Sequence, residues 1–182
     1  MQRVIDKLAK TYPNIPNTEL AAIHHYTKPN GNYRQLNKQM DTGTLTEFNR
    51  AAQTLITQGL EKLPIYEGSV YRGMIIKRKD FEIAFAGDKG DIIKHNRFVS
   101  SSKNIKTALE FAKHSPLKRN EIQVIFEIQS KTGRDISKIS EFNGIFTSKN
   151  QQEIMFTNNT SFIIVNKSIS HNGMIIIKII EK

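Results

Sequence analysis

Gln151 and Glu153 form a Gln-x-Glu pair whose residue types and spacing could do chemistry. In an extended strand, side chains alternate, so Gln151, Glu153 and Met155 would share one face. Ile154 and Phe156 would point the other way, into a core. The amide and the carboxylate would then lie about 6 to 7 Å apart, close enough for one to act on a substrate and the other on its partner. A polar strand end in solvent shows the same pattern, so the pair alone does not distinguish the two.

Two other segments place polar side chains in strand-like surroundings. Arg72 would share a strand face with Val70 and Met74, and an arginine on an inward face requires an anion or a carboxylate. An arginine on an edge strand would instead be solvated. Farther along, Arg-Phe-Val leads into three consecutive serines before a candidate helix. A role in capping that helix explains Ser102 but not Ser100.

These residues lie in a chain that is helical first and strand-rich afterwards, which predicts an α+β fold. We predict helices over 2–10, 18–26 with Asn17 as its cap, 33–39 and from a Thr44–Glu47 capping box to Pro64. From Gly68 the apolar period changes to two, and we predict strands at 68–74, 122–128, 153–156, 161–165 and 174–180. One helix, capped by Asn104, interrupts them over 105–112.

Composition limits the function classes. The 182 residues contain no cysteine, which excludes disulfides and thiolate chemistry, and no apolar run long enough to span a membrane. The charged N-terminus does not resemble a signal peptide. The five histidines lack metal-ligand spacing with nearby acids. A net charge of +10 suits nucleic acid, an acidic protein surface or an anionic substrate, and it does not choose among them.

Three motifs together resemble those of a known family. Tyr-Arg-Gly at 71–73, Phe-Val-Ser-Ser-Ser at 98–102 and Gln-Gln-Glu at 151–153 resemble, in that order, the motifs of the Arg-Ser-Glu class of mono-ADP-ribosyltransferase toxins. The intervals of 28 residues from Arg72 to Ser100 and 53 from Ser100 to Glu153 also fit. The resemblance implies a single domain over 1–182. It would have a helical lobe (1–66) and an NAD-binding β core (67–182) of two packed, mostly antiparallel sheets.

The resemblance also implies site roles, with NAD as co-substrate and no metal. Glu153 would be catalytic, because a carboxylate near the ribose stabilises the positive charge that develops as nicotinamide leaves. Gln151 would be catalytic on the acceptor side. Arg72 would bind the NAD diphosphate, and Ser100 would orient Glu153. The other motif residues assigned to NAD binding are Tyr71, Gly73, Phe98 and Ser102.

Gln151 points to the acceptor. A second carboxylate here would attract and activate a guanidinium, whereas an amide can only hydrogen-bond, so we expect a non-arginine acceptor. This resembles the Rho-modifying exoenzymes, which modify an asparagine, and the pierisin-like enzymes, which modify guanine in nucleic acid. We favour an Asn or Gln side chain of a protein and keep nucleic acid as the alternative. Phe142 and Phe146, in the loop before Gln151, would contact the acceptor or pack at the loop base.

The expected protein is a bacterial toxin or effector domain, secreted or injected into a target cell. It would act in the cytoplasm of that cell, with no signal peptide in this chain and no insertion into a membrane. Its basic surface would accept an acidic immunity protein. The alternative outside enzymes is a non-catalytic basic binding module.

Overall fold

A helical lobe precedes a mostly antiparallel sheet in the computed structural model, which describes residues 2–143 and 150–182. The α+β prediction is therefore confirmed. The helices are α1 (Gln2–Thr11), α2 (Asn17–Thr27), α3 (Tyr33–Thr42), α4 (Glu47–Glu61), α5 (Arg78–Phe85) and α6 (Ile105–Ala112). The strands are β1 (Ile65–Lys77), β2 (Ile92–Lys94), β3 (Val99–Ser102), β4 (Glu121–Asp135), β5 (Glu153–Phe156), β6 (Ser161–Ile169) and β7 (Ile175–Glu181). Among the described residues, we find no helix with the length and apolar character needed to cross a membrane.

Helix starts differ from the prediction at two places. Asn17 is the first residue of α2, and the extended residue before it is Pro16, which provides no side-chain cap. The cap of α4 is Thr46 rather than Thr44, since its hydroxyl accepts from the Asn49 N–H at 3.3 Å. Thr44 instead belongs to the turn after α3, where its N–H donates to a carbonyl of that helix.

Helix α5 and strand β2 were not predicted, and β3 was expected only as a strand-like segment that leads into the serines. Helix α5 begins without a side-chain cap, so its start carries no local signal. Strand β2 has three residues, too few to show a period of two. Long-range pairing with β6 defines β2, and this pairing is invisible in a local pattern.

The strands are joined in one hydrogen-bonded order, β1-β3-β5-β4-β7-β6-β2, with an additional pairing of β1 with β4. All neighbouring pairs are antiparallel except β4 and β7. The two long strands β1 and β4 pair from Ile65 opposite Arg134 to Lys77 opposite Glu121. They connect the two predicted sheets into a single network.

Strand β5 separates the two main apolar cores. Met155 packs with the helical lobe, against a cluster that includes Leu20 and Ile23. Ile154 and Phe156 belong to the core of the sheet. All four residues of β5 are buried, so the predicted alternation holds within this strand, and Glu153 begins it on the Met155 side.

Helix α6 packs closely on β1 at Gly73. A Cβ on Gly73 would lie 1.7 Å from the carbonyl oxygen of Ala108 and 3.1 Å from the backbone nitrogen of Ala112. Glycine is therefore required here by the approach of a helix backbone to a strand.

We expect Gly73→Ala to destabilise the protein by about 3 kcal/mol, because a helix backbone must move to make room. Gly43→Ala is the control: Gly43 has a φ of 69° but no atom within 4 Å of an added Cβ. It should cost about 1 kcal/mol through backbone strain alone. Urea unfolding of both variants measures the difference, and equal losses would contradict the close packing at Gly73.

Candidate active site

The sheet brings the three sequence motifs to adjacent strands. Ser102 pairs with Tyr71 of β1 on one side and with Glu153 of β5 on the other. The guanidinium of Arg72, on β1, crosses to β3 and donates from Nη1 to the carbonyl oxygen of Ser100 at 2.6 Å. Arg72, Ser100 and Glu153 therefore meet where β1, β3 and β5 lie side by side.

Glu153 is a buried carboxyl with hydroxyl partners. Glu153 is 7% exposed. Ser140 Oγ donates a hydrogen bond to Glu153 Oε2 at 2.7 Å. Ser100 provides a second side-chain hydrogen bond. Burial raises the pKa of Glu153, while the two serines and the positive charge of Arg72 act in the opposite direction. The site thus holds a carboxylate that is poorly hydrated and is stabilised by fixed donors.

The three consecutive serines have separate contacts. Ser101 Oγ donates to the Ile154 carbonyl at 3.0 Å, and Ser102 Oγ donates to the Gln151 carbonyl at 2.6 Å. These two hydroxyls attach β3 to the backbone around β5. The Ser100 side chain is half-buried and makes the hydrogen bond to the Glu153 carboxyl.

Gln151 does not follow the strand alternation predicted for it. Strand β5 begins at Glu153, and Gln152 has a φ of 47° in the left-handed region. This residue turns the chain, and its N–H donates to the side chain of Asn150 at 3.0 Å. A non-glycine residue in this conformation costs about 1 kcal/mol or more. The half-buried Gln151 is therefore oriented by a turn, with its N–H donating to the Phe142 carbonyl at 2.9 Å.

Three other motif residues pack close to the site. Tyr71 packs with Ala108 and Ala112 of α6, on the strand face opposite to Arg72, and Gly73 lies under the same helix. Phe98 is 2% exposed in the core of the helical lobe, with its ring centroid 5.5 Å from that of Tyr26. The strand period places Tyr71 and Gly73 on the face opposite to Arg72. Their assignment to NAD binding, like that of Phe98, stays a prediction.

Part of the predicted acceptor loop is described. Asn143 and Asn150 form an isolated antiparallel bridge at its base. Phe142 is half-buried there. Phe146 lies outside the described residues.

A cleft beside Arg72 is lined by Arg72, His95, Arg97 and seven apolar side chains. Arg97 Nη1 donates to Asp41 Oδ2 of α3 at 2.8 Å. Burial, and then the charges of Arg97 and Arg72, lower the pKa of His95 to about 4. His95 is therefore neutral at physiological pH, and the two arginines supply the positive charge of the cleft.

Sequence reasoning missed Ser140, His95 and Arg97. Arg97 stands directly before the aromatic lead into the serines, which was a usable signal. Ser140 lies 13 positions before Glu153, and no local pattern joins the two. Within the part of the chain that the structure describes, no group of three or more His, Asp or Glu side chains could hold a metal ion.

We expect Glu153→Gln to raise the free energy of unfolding at pH 7. The folded-state pKa of Glu153 is raised, so its favourable contribution is fully present below the unfolded pKa of about 4.3 and is lost as the pH rises through the folded pKa. The difference in the free energy of unfolding between Glu153→Gln and wild type should therefore shrink as the pH falls toward 4. Urea unfolding at both pH values measures it.

Glu181→Gln is the matched control for this comparison. Glu181 is also buried, but its Oε2 accepts from the N–H groups of Lys131 at 2.5 Å and Thr132 at 2.8 Å. Its substitution should destabilise the protein by about 1.5 to 3 kcal/mol. A Glu153→Gln variant that is less stable than wild type at pH 7 would contradict the prediction.

Comparison with known proteins points to one family. The sequence model of the family described as NAD:arginine ADP-ribosyltransferase matches residues 5–181. Mav of Mycobacterium avium (strain 104), named provisionally as an NAD(+)-arginine ADP-ribosyltransferase, is 33% identical over 165 residues, which cover 90% of this chain and 18% of Mav. The NAD(+)-protein-arginine ADP-ribosyltransferase Tre1 of Serratia proteamaculans (strain 568) is 28% identical over 156 residues, covering 85% of this chain and 30% of Tre1. This chain thus spans less than a third of the length of either relative.

A solved structure has the same fold. Vis toxin, an ADP-ribosyltransferase from Vibrio splendidus, superposes with a TM-score of 0.73 at 20% identity, covering 100% of this chain and 86% of Vis. The family match extends over nearly every residue, from the first helix to the last strand. The chain therefore belongs to the NAD:arginine ADP-ribosyltransferase family.

Proposed function

We propose that this chain is an NAD-dependent mono-ADP-ribosyltransferase. The observation that carries the proposal is the buried Glu153 carboxyl, held by Ser140 and Ser100 beside the Arg72 guanidinium. A binding module has no need of a poorly hydrated carboxylate with fixed donors, whereas stabilising a developing cation does require one. Family membership supports the same reaction.

In the proposed reaction the bond between the ribose C1′ and nicotinamide breaks. The bonding electrons leave with nicotinamide, and positive charge develops on the ribose ring, as in glycoside hydrolysis. Glu153 stabilises that charge by hydrogen bonding to a ribose hydroxyl. Its low exposure strengthens the interaction, because little water competes for the carboxylate. The acceptor atom then bonds to C1′ and releases a proton.

The cleft beside Arg72 contains two arginines that support diphosphate binding. Arg72 and Arg97 both line it, and His95 there is neutral. Guanidinium groups bind phosphate oxygens through paired, charge-assisted hydrogen bonds. We assign diphosphate binding to Arg72, with Arg97 adding to the local positive potential.

For the acceptor we propose an Asn or Gln side chain of a target protein. Gln151 carries no charge and cannot remove a proton from a guanidinium, but its oxygen can accept a hydrogen bond from an amide N–H. Its backbone is held on both sides, by the Phe142 carbonyl and the Ser102 hydroxyl. These bonds fix the backbone of Gln151, and therefore the point from which its side chain extends, next to Glu153.

Arginine is the second candidate acceptor. The names of the family and of both relatives specify arginine, and a guanidinium could also hydrogen-bond to the Gln151 oxygen. Guanine in nucleic acid would suit the amide and the net charge of +10. Protease and nuclease treatment of the labelled product, together with an assay on agmatine, separates the three acceptors.

The proposed setting is a bacterial toxin or effector. Vis is a toxin of the same fold, and the relatives extend well beyond the region matched here. We propose delivery into a target cell and neutralisation by an acidic immunity protein, since a net charge of +10 favours a negatively charged inhibitor.

Wild-type protein incubated with labelled NAD and a cell lysate should release nicotinamide and label a macromolecule. Glu153→Ala should lower both rates by about 10²- to 10³-fold, the usual effect of removing a group that stabilises transition-state charge. Glu61→Ala, at an exposed carboxylate at the end of α4, is the control. Loss of the label on protease but not nuclease treatment identifies a protein acceptor. If the wild-type protein cleaves no NAD, the proposal that this chain is an enzyme is wrong.

Gln151→Ala should abolish transfer to the acceptor and leave slow NAD hydrolysis, because Glu153 still stabilises the ribosyl cation. Gln151→Glu should gain transfer to agmatine, a small guanidine, since the new carboxylate can attract and activate it. High-performance liquid chromatography of products from both variants and wild type measures this. Efficient modification of agmatine by wild type would instead support arginine as the acceptor.

A further inference from the structure

The C-terminal end of α2 holds the segment from which Ser140 reaches Glu153. His24 is 1% exposed, and its Nδ1 lies 2.7 Å from the carbonyl oxygen of Ile139. Thr27 Oγ1 accepts from the Glu141 N–H at 2.9 Å. The residues immediately before and after Ser140 are therefore both bound by α2, although 115 and 114 positions separate the partners in the chain.

Ser140 connects this segment to both proposed functional residues. It is fully buried, and its Oγ donates to Glu153 Oε2 at 2.7 Å while accepting from the Phe142 N–H at 3.2 Å. The Phe142 carbonyl in turn accepts from the Gln151 N–H at 2.9 Å. Two continuous hydrogen-bond paths thus lead from the helical lobe, one to Glu153 and one to Gln151.

The charge state of His24 fits a permanent contact. Burial lowers the pKa of His24, and Lys28 and His25 act in the same direction, while the Ile139 carbonyl and Glu141 raise it. Burial is the largest effect, but Nδ1 can donate to the Ile139 carbonyl whether the ring is neutral or protonated. The Glu141 carboxylate lies 3.1 Å from Nε2. The contact between His24 and Ile139 is therefore constant across the working pH range.

We propose that His24 and Thr27 are positioning residues for Glu153: they fix residues 139–141, so that Ser140 holds the carboxylate in the orientation needed for NAD cleavage. This inference rests on the proposed function. It extends the site to the helical lobe, whereas Arg72, Ser100 and Glu153 all lie on strands of the sheet.

The first test uses Thr27. Thr27→Val removes the hydroxyl at nearly constant shape, and Thr27→Ser keeps it as the matched control. Thr27→Val should lower kcat for NAD hydrolysis about tenfold and leave KM for NAD unchanged, because Arg72 and its cleft are untouched. Thr27→Ser should retain wild-type kcat. A rise in KM with unchanged kcat would overturn the proposal.

His24 supplies an independent pair of variants. His24→Asn places an amide N–H near the position of Nδ1 and can keep the bond to the Ile139 carbonyl. His24→Leu cannot. The Asn variant should therefore retain at least severalfold more kcat than the Leu variant, and equal kcat values in two folded variants would overturn the role of this bond. Should His24→Leu fail to fold, the Thr27 pair decides the question alone.

A double-mutant cycle shows whether the effect passes through Ser140. Ser140→Ala removes the donor to Glu153, so adding Thr27→Val to it should produce no further loss of kcat. Interacting residues show such non-additivity, whereas independent ones do not. Two multiplicative losses would mean that Thr27 acts by another route and would overturn the proposal.

A readout independent of catalysis completes the test. The Ser140 hydrogen bond lowers the pKa of Glu153, so Ser140→Ala should raise it, and so should Thr27→Val, while Thr27→Ser should not. Carbon NMR of the side-chain carboxyl reports this titration. An unchanged Glu153 titration in folded Thr27→Val overturns the positioning role. A wild type that shows the expected shifts but cleaves no NAD would instead refute the proposed function and leave the structural link standing.

Discussion

The site depends on keeping one carboxylate in a place with little water. Isolated burial of a charged carboxyl is unfavourable, and burial does raise the pKa of Glu153. Ser140, Ser100 and Arg72 offset part of that cost with two hydroxyl donors and a positive charge. The unfavourable part that remains is useful, because a poorly hydrated carboxylate interacts strongly with a cation that forms next to it. Stability and reactivity are therefore opposed at this residue.

The architecture follows from the need to surround Glu153. Strand β5 lies between β3 and β4 and is buried on both faces, by the helical lobe on one and by the sheet core on the other. Each partner of the carboxylate comes from a different element: Arg72 from β1, Ser100 from β3 and Ser140 from the turn after β4. The helical lobe takes part as well, because α2 holds the turn that contains Ser140. Removing any one of these elements would leave a buried charge with fewer partners.

Most of the fold could be predicted from local patterns. The four N-terminal helices and the five strands expected from the change of period are present, and β5 begins and ends as predicted. Asn104 caps α6, accepting from the Lys106 N–H at 3.0 Å. The elements that were missed, α5 and β2, lack a cap signal or sufficient length. The motif order brought Arg72, Ser100 and Glu153 into one hypothesis, and the structure places them together.

What the sequence determined by itself was the set of elements and the chemical types available, since caps, periodicity and residue type act over a few neighbouring positions. It also indicated the family, because three motifs at defined intervals are a property of the linear chain. Only the tertiary structure decided which polar groups surround Glu153. Ser140, and His24 that holds the residue before it, are brought in by contacts between distant segments, which leave no local pattern. The tertiary structure likewise defined the packing contacts of Tyr71, Gly73 and Phe98 and gave Gln151 its orientation through a left-handed turn at Gln152.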